Sequence, residues 1–323
     1  MHEGDTTIMI TGTVSLGIDI GGTNTSFGLV DRRGQIIAQG RMATTGHFTV
    51  HSYLEALEKN VHPLMQQVGK ENIHGVGVGA PNANFYTGEI AYAANLPWEG
   101  IVPLAKLMSQ TLGLRVTITN DANAAALGEM TYGVAKGMKN FIMLTLGTGV
   151  GSGIVANGKL IYGHDGFAGE IGHMNAIRGG RTCGCGRRGC LETYSSATGI
   201  VRTALEWLEQ RDDATVLREQ PDVLTAHKIH LAAQEGDPFA LELFDYTGRI
   251  LGQVLADVVA ITSPEAFVFF GGLAQSGHLI MDPTRRYMEE NLLRVFKNKI
   301  NFLHSALPQA DAAILGASAL AWN

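Results

Sequence analysis

No stretch of this sequence stays apolar for the roughly eighteen residues that a membrane-crossing helix needs; the segment Ile250 to Ile261 is broken by Gln253 and Asp257. A membrane is therefore not expected among its partners. Positive charge is not in excess either. The 24 Lys and Arg against 30 Asp and Glu leave a formal net charge of −6. No broad field draws in nucleic acid, so none is expected as a partner, and any polyanionic ligand must be held by local groups. The N-terminus carries Glu3 and Asp5 in place of a basic start leading into an apolar run. That argues against a secretory signal and for a cytoplasmic protein. Cysteine is scarce: the three present all fall between Cys183 and Cys190, which argues against a disulfide framework and for a metal site.

What is present reads as a globular chain with a sizeable core. At 323 residues, with 45% hydrophobic and 17% charged content, two domains are expected. The 41 glycines sit in short clusters beside apolar runs, a pattern of close backbone approaches and not of low complexity. Val14 to Ile20 reads as a strand that ends in Asp19-Ile20-Gly21-Gly22-Thr23-Asn24. Phe27 to Val30 and Ile36 to Ala38 then flank an Arg33-Gly34 turn. The plan recurs at Phe141 to Leu146, followed by a glycine run from Gly147 to Gly153, a strand from Ile154 to Ala156, an Asn157-Gly158 hairpin and Lys159 to Tyr162. Gly21 and Gly147 are too far apart for a solenoid repeat and suit a duplicated domain. Between the copies we expect a helix near Ser52 to Val68, a strand at Gly75 to Val78, a helix near Pro103 to Leu112 and a strand at Val116 to Ile118. Beyond them come helices around Thr198 to Glu209, His227 to Glu235 and Pro238 to Ile261, and a buried strand at Ala266 to Phe270. A closing helix over Ala312 to Ala321, rich in small residues, is expected to pack on the first lobe.

Glycine turns after strands let backbone N–H groups approach phosphates without a Cβ in the way. Two matched turns, with Gly271-Gly272 after a third strand, point to a nucleotide site. The first offers Asp19 as a carboxylate for Mg²⁺, with Gly21, Gly22, Thr23 and Asn24; the second offers Gly147, Thr148 and Gly149. Gly271 and Gly272 would let an adenosine lie flat against the backbone. Neither turn closes with the Gly-Lys-Ser/Thr of a P-loop, and neither is a dinucleotide fingerprint. The Cys183-x-Cys185-x₄-Cys190 cluster has glycines between its thiolates, and His173 can complete a closed tetrahedral Zn²⁺ site. Three merely packed cysteines fit poorly beside Arg181, Arg187 and Arg188.

These motifs together resemble the ROK family of repressors, open reading frames and sugar kinases, over Leu16 to Ala319. The resemblance implies a duplicated actin-like, ribonuclease-H-type α/β fold with two lobes and a cleft. We place the lobes at residues 1–121 with 309–323, and 122–308. It also implies phosphorylation of a hexose by ATP and Mg²⁺, with glucose at its 6-hydroxyl as first choice and N-acetylglucosamine, N-acetylmannosamine or fructose as alternatives. We expect a homodimer or a larger assembly of identical chains.

Such a reaction calls for a carboxylate base. Asp121, in Asn120-Asp121-Ala122-Asn123, resembles the family's catalytic stretch, although an Asp there could simply cap a helix. Asn95, Asn120 and Asp121 resemble the family's contacts to the 3-, 4- and 6-hydroxyl side of the sugar. Glu170, His173 and Glu192 resemble those to the 1- and 2-hydroxyl side. The cysteine cluster resembles its zinc motif. One departure stands out: family kinases commonly follow Gly-x-Pro with another glycine, whereas Gly79-Ala80-Pro81 here precedes Asn82-Ala83-Asn84. Those amides could serve an N-acetyl group or the loop itself. With few residues before Val14 to form the helix-turn-helix of the family's repressors, a sugar-responsive transcription regulator lacking its DNA-binding domain is the less expected reading.

Overall fold

The computed structural model describes residues 13–93, 95–219, 221–308 and 310–322. Glu3, Asp5 and Gln309 lie outside them. The chain divides into two compact units. One gathers the described residues up to Lys136 with those from Leu307 onward, and the other spans Gly137–Ala306.

In the first unit the order is β1 (Val14–Ile20), β2 (Asn24–Asp31), β3 (Ile36–Ala43), α1 (Val50–Val68), β4 (Ile73–Gly79), β5 (Ile90–Ala91), β6 (Ile101–Val102), α2 (Leu104–Leu112), β7 (Val116–Thr119) and α3 (Asp121–Thr131). The second unit has β8 (Phe141–Leu146), β9 (Val150–Ala156), β10 (Lys159–Leu160), α4 (Ala197–Gln210), α5 (Ala226–Gln234), α6 (Pro238–Thr262), β11 (Ala266–Phe270), α7 (His278–Asn291) and β12 (Asn301–His304). The closing helix α8 (Ala312–Trp322) belongs to the first unit.

The duplication is visible in the pairing. The sheet orders are β3-β2-β1-β4-β7 and β10-β9-β8-β11-β12. In each, the first three strands form an antiparallel meander and the last two are added in parallel. This is the α/β plan expected for a duplicated ribonuclease-H-type fold. Each unit has its own core. One contains Leu16, Ile18, Leu57, Val78 and Leu104, and the other Ile142, Leu144, Phe244, Leu255 and Phe267.

Helix α8 is apolar all round, as suits a helix buried without a break from Ile314 to Ala321. A Cβ added at Gly77 of β4 would stand 1.9 Å from the Ala317 carbonyl oxygen, and one at Gly17 of β1 would stand 2.2 Å from that of Ile314. Only glycine lets the helix lie this close to the sheet. Helix α3 packs on it as tightly, since a Cβ at Gly128 would be 2.9 Å from the Gly316 Cα. For that reason the division expected after Asp121 falls at Lys136, with α3 in the first unit.

Four elements, β5, β6, α7 and β12, exceed the sequence reading, and β2, β4 and β9 begin earlier than expected. Strand β9 starts at Val150 and pairs at once with Leu146, so Gly151 and Gly153 are strand residues opposite Thr145 and Met143. The glycine turn thereby shrinks to residues 147–149. Likewise β2 begins at Asn24, opposite Ala43 of β3. Asn157 and Gly158 both have positive φ, 53° and 74°, as a two-residue hairpin turn requires.

Candidate functional site

In parallel α/β sheets, ligand-binding loops gather at the carboxyl ends of the strands. In the first unit β1, β4 and β7 align Asp19 with Gly79, and Gly79 with Thr119. The Gly21–Thr23 turn, the Ala80–Pro81 segment and the pair Asn120-Asp121 therefore leave the sheet along one edge. The first turn is tied by the Gly21 N–H donating to the Asn24 carbonyl at 3.0 Å, while the Thr23 carbonyl accepts from Thr44 N–H at 2.9 Å. Gly22 abuts the Asn95 backbone, because a Cβ there would fall 2.5 Å from the Asn95 carbonyl oxygen. Asn95 is exposed and next to the turn.

Asp19 and Asp121 meet at this edge. A Cβ at Gly79 would touch both, at 3.6 Å from Asp19 Oδ1 and 3.8 Å from the Asp121 Cα. Burial, helped by the charge of Asp121, pushes the Asp19 carboxyl up to about 7. Asp121 reaches solvent, yet the protein crowded around it raises its carboxyl as well, against the opposing pull of the Ala122 N–H. Two like-charged carboxylates in a partly desolvated place are a ready cation site, and a carboxyl whose pKa is raised is a better proton acceptor when ionised.

The helix-capping alternative for Asp121 is decided by geometry. Asn120 is the N-cap of α3, its Oδ1 accepting from Asn123 N–H at 2.7 Å. Asp121 lies one step inside, its Oδ1 accepting from Ala122 N–H at 2.8 Å. Helix capping is thus the work of Asn120, whose amide NH₂ group has no part in it. The loop amides are engaged within the loop, through the Nδ2 of Asn82 and the Oδ1 of Asn84. Asn82 donates to the carbonyls of Ala91 and Tyr92 at 3.0 and 3.2 Å. The buried Asn84 accepts from Tyr86 and Thr87 N–H through its Oδ1.

The second unit repeats the edge. Gly147 N–H donates to the Gly149 carbonyl at 3.1 Å. The turn is pinned to the start of α4, where Ala197 N–H donates to the Gly147 carbonyl and the Thr198 hydroxyl to that of Thr148. Thr148 is exposed. Gly271, at φ 98°, sits against Leu146, and a Cβ on Gly147 or Gly272 would meet nothing within 4 Å. A cavity of about 300 Å³ adjoins Gly272, lined also by Ala197, His227, His230, Gln275 and Ser276.

The cysteines fold back on His173. Bridges join Thr182 to Arg188 and Asn175 to Cys190, and the chain turns through Gly186 and Gly189 at φ 85° and 79°. One donor atom from each of His173, Cys183, Cys185 and Cys190 lies within 4.8 Å of the others. Cys185 Sγ and Cys190 Sγ are 3.7 Å apart, as are Cys183 Sγ and His173 Nδ1. Zn–S bonds of about 2.3 Å in a tetrahedron put sulfurs about 3.8 Å apart, so the donor set fits zinc. Glu192 is drawn into the same place, its Oε1 accepting from Cys183 at 3.0 Å and lying 3.6 Å from His173 Nδ1. The other ring nitrogen of His173 faces Glu170 at 3.9 Å. Glu170, His173 and Glu192 are thus neighbours.

A cavity of about 510 Å³ runs from Thr148 and Gly149 past Glu192 and Cys183 to Arg202. Arg202 and the His227–His230 pair escaped the sequence reading. They lie on amphipathic helices, where nothing in their spacing separates them from a solvated face.

Comparisons with known proteins show which family the chain is similar to. The family model of ROK matches residues 15–323. The chain is similar to the glucokinase of Halalkalibacterium halodurans, 36% identical over 309 residues that cover 93% of this chain and 92% of that one. It is also similar to the N-acetylmannosamine kinase of Escherichia fergusonii, 32% identical over 309 residues, covering 95% and 98%. A crystal structure of a ROK family glucokinase from Streptomyces griseus, in complex with glucose and AMPPNP, superposes with a TM-score of 0.79 at 33% identity, covering 95% of this chain and 98% of that one.

Proposed function

The chain belongs to the ROK family, and from that premise we propose that it is an ATP-dependent hexose kinase acting on the 6-hydroxyl of glucose. The observation that carries this reading is the meeting of Asp19 and Asp121 at the carboxyl edge of one sheet, with Asp121 relieved of capping by Asn120. The hydroxyl proton passes to the Asp121 carboxylate as the oxygen bonds to the γ-phosphorus. The bond from that phosphorus to the β-phosphate oxygen breaks, and ADP leaves. A raised pKa makes Asp121 the stronger base.

The turns at 21–23 and 147–149 are the phosphate-binding candidates of their own units, each offering backbone N–H groups, with the hydroxyls of Thr23 and Thr148 as further donors. Asp19 is the carboxylate suited to Mg²⁺, which when bound neutralises phosphate oxygens. Asn95 and the Asn120 amide are the sugar-binding candidates of the first unit, and Glu170, His173 and Glu192 those of the second.

His173, Cys183, Cys185 and Cys190 would hold a structural zinc. All four positions of such a site are protein atoms, so no water remains on it to be activated. Its role is to fix the loop and the direction of the His173 ring. Among the described residues no helix is long and apolar enough to cross a membrane, and a kinase drawing on ATP belongs in the cytoplasm.

Glucose is favoured over an N-acetylhexosamine because the Asn82 Nδ2 and the Asn84 Oδ1 are engaged within their own loop. The N-acetylmannosamine kinases among the relatives make the second reading concrete. ADP release measured over a panel of hexoses tests both. Glucose should give the highest kcat/KM, with 2-deoxyglucose weakened. A best acceptor carrying an N-acetyl group would overturn the glucose assignment and leave the kinase standing.

A further inference from the structure

Asn82 stands three residues beyond β4 with φ 53°, a left-handed conformation that Asn tolerates better than most residues. From there its Nδ2 reaches both the Ala91 and Tyr92 carbonyls, and its own carbonyl accepts from Ala91 N–H at 3.3 Å. These bonds close the base of the loop that carries Asn95. The far side of the loop is fixed differently. Trp98 is buried, donates Nε1–H to the His47 carbonyl at 3.1 Å and packs on Tyr53 at 4.7 Å between ring centres.

The near side is strained. Tyr92 has φ 50° and an exposed ring, a rare state for a bulky side chain that persists only where its surroundings impose it. The imposing contacts are the Asn82 amide on the Tyr92 carbonyl and the Tyr92 N–H on the Gly100 carbonyl at 2.8 Å. Asn95 lies three residues on and rests its carbonyl over Gly22 of the first glycine turn.

We propose that Asn82 is a positioning residue for hexose binding: its amide clamps the loop base so that Asn95 meets the sugar in one geometry. This rests on the reading of Asn95 as a sugar ligand. A side chain here does what a glycine after Pro81 could not.

The test uses steady-state kinetics on the full chain with whichever hexose it turns over best. Asn82→Gly keeps the left-handed backbone at no steric cost and removes only the amide. Its hexose KM should rise about tenfold, the scale of one net hydrogen bond, with the ATP KM unchanged. Asn82→Asp, which turns a carboxylate toward two carbonyl oxygens, should raise it further. In a double-mutant cycle, Asn82→Gly added to Asn95→Ala should cost nothing beyond Asn95→Ala alone, because the clamp acts through Asn95. An unchanged hexose KM in Asn82→Gly, an equal rise for ATP and hexose, or effects that multiply in the cycle would each overturn the inference. A wild-type chain that turns over no hexose would instead sink the kinase reading itself, and the inference with it.

Discussion

Replacing Cys185 by Ser separates a metal site from a packing site more cleanly than any other change in the cluster. Cys183 and Cys190 are buried but Cys185 is exposed, so as a packing change Cys185→Ser should fall within about 0.5 kcal/mol, as surface substitutions do. As a zinc ligand its loss is of another order. A site filled at a thousandfold over its dissociation constant stabilises the fold by about 4 kcal/mol. For a unit the size of Gly137–Ala306, at roughly 2–4 °C per kcal/mol, that is on the order of 10 °C in Tm. Elemental analysis should find about one zinc per wild-type chain, by the four-ligand count, and much less in Cys185→Ser. Calorimetry should show the drop in Tm, and the hexose KM should rise as His173 loses its fixed direction. Zinc-free wild-type protein, or a variant that melts and binds sugar like the wild type, would refute the reasoning.

The glycine turns allow a change that spares the fold. Gly147→Ala and Gly272→Ala add a Cβ that meets nothing within 4 Å, so urea midpoints should hold while the ATP KM climbs; unchanged ATP KM in both would remove the turns from the nucleotide site. Asp19 gives a pH signature. Its carboxyl is raised from 3.8 to about 7 by burial and by Asp121, so the folded chain holds a proton that the unfolded chain has lost across that window. The stability this contributes is complete at low pH and is lost as pH rises through about 7. In Mg²⁺-free buffer Asp19→Asn should therefore gain on the wild type toward about pH 8 and lose that gain toward about pH 5. A stability difference between the two that does not vary with pH would contradict the shift.

Much of the fold is legible where burial and glycine punctuate the chain together. Val14–Ile20, Phe141–Leu146 and Ala266–Phe270 are apolar runs ended by glycine turns, and they are strands over those same residues. The small residues of α8 announced close packing, and the sheet beneath it has glycines to match. Helix α7 is hidden because Pro283 interrupts its pattern and Gly277 starts it without a capping side chain. Strand β12 has only Asn301–His304, held beside β11 by tertiary pairing. Of the candidate site, the cysteine spacing and both turns could be read directly. That Asp19 and Asp121 share one edge, or that Asn82 reaches Ala91 and Tyr92, depends on strand order and loop path, which residue patterns do not encode.

The central claim is that Asp121 takes the hydroxyl proton during phosphoryl transfer, and Asp121→Asn tests it most directly. The amide keeps the shape and an acceptor for Ala122 N–H, and Asn120 still caps α3, so folding and ATP binding should be retained. With glucose and ATP saturating, turnover should fall on the order of a hundredfold or more, the scale of a lost general base. Near-normal turnover in a variant that binds both substrates would contradict the account.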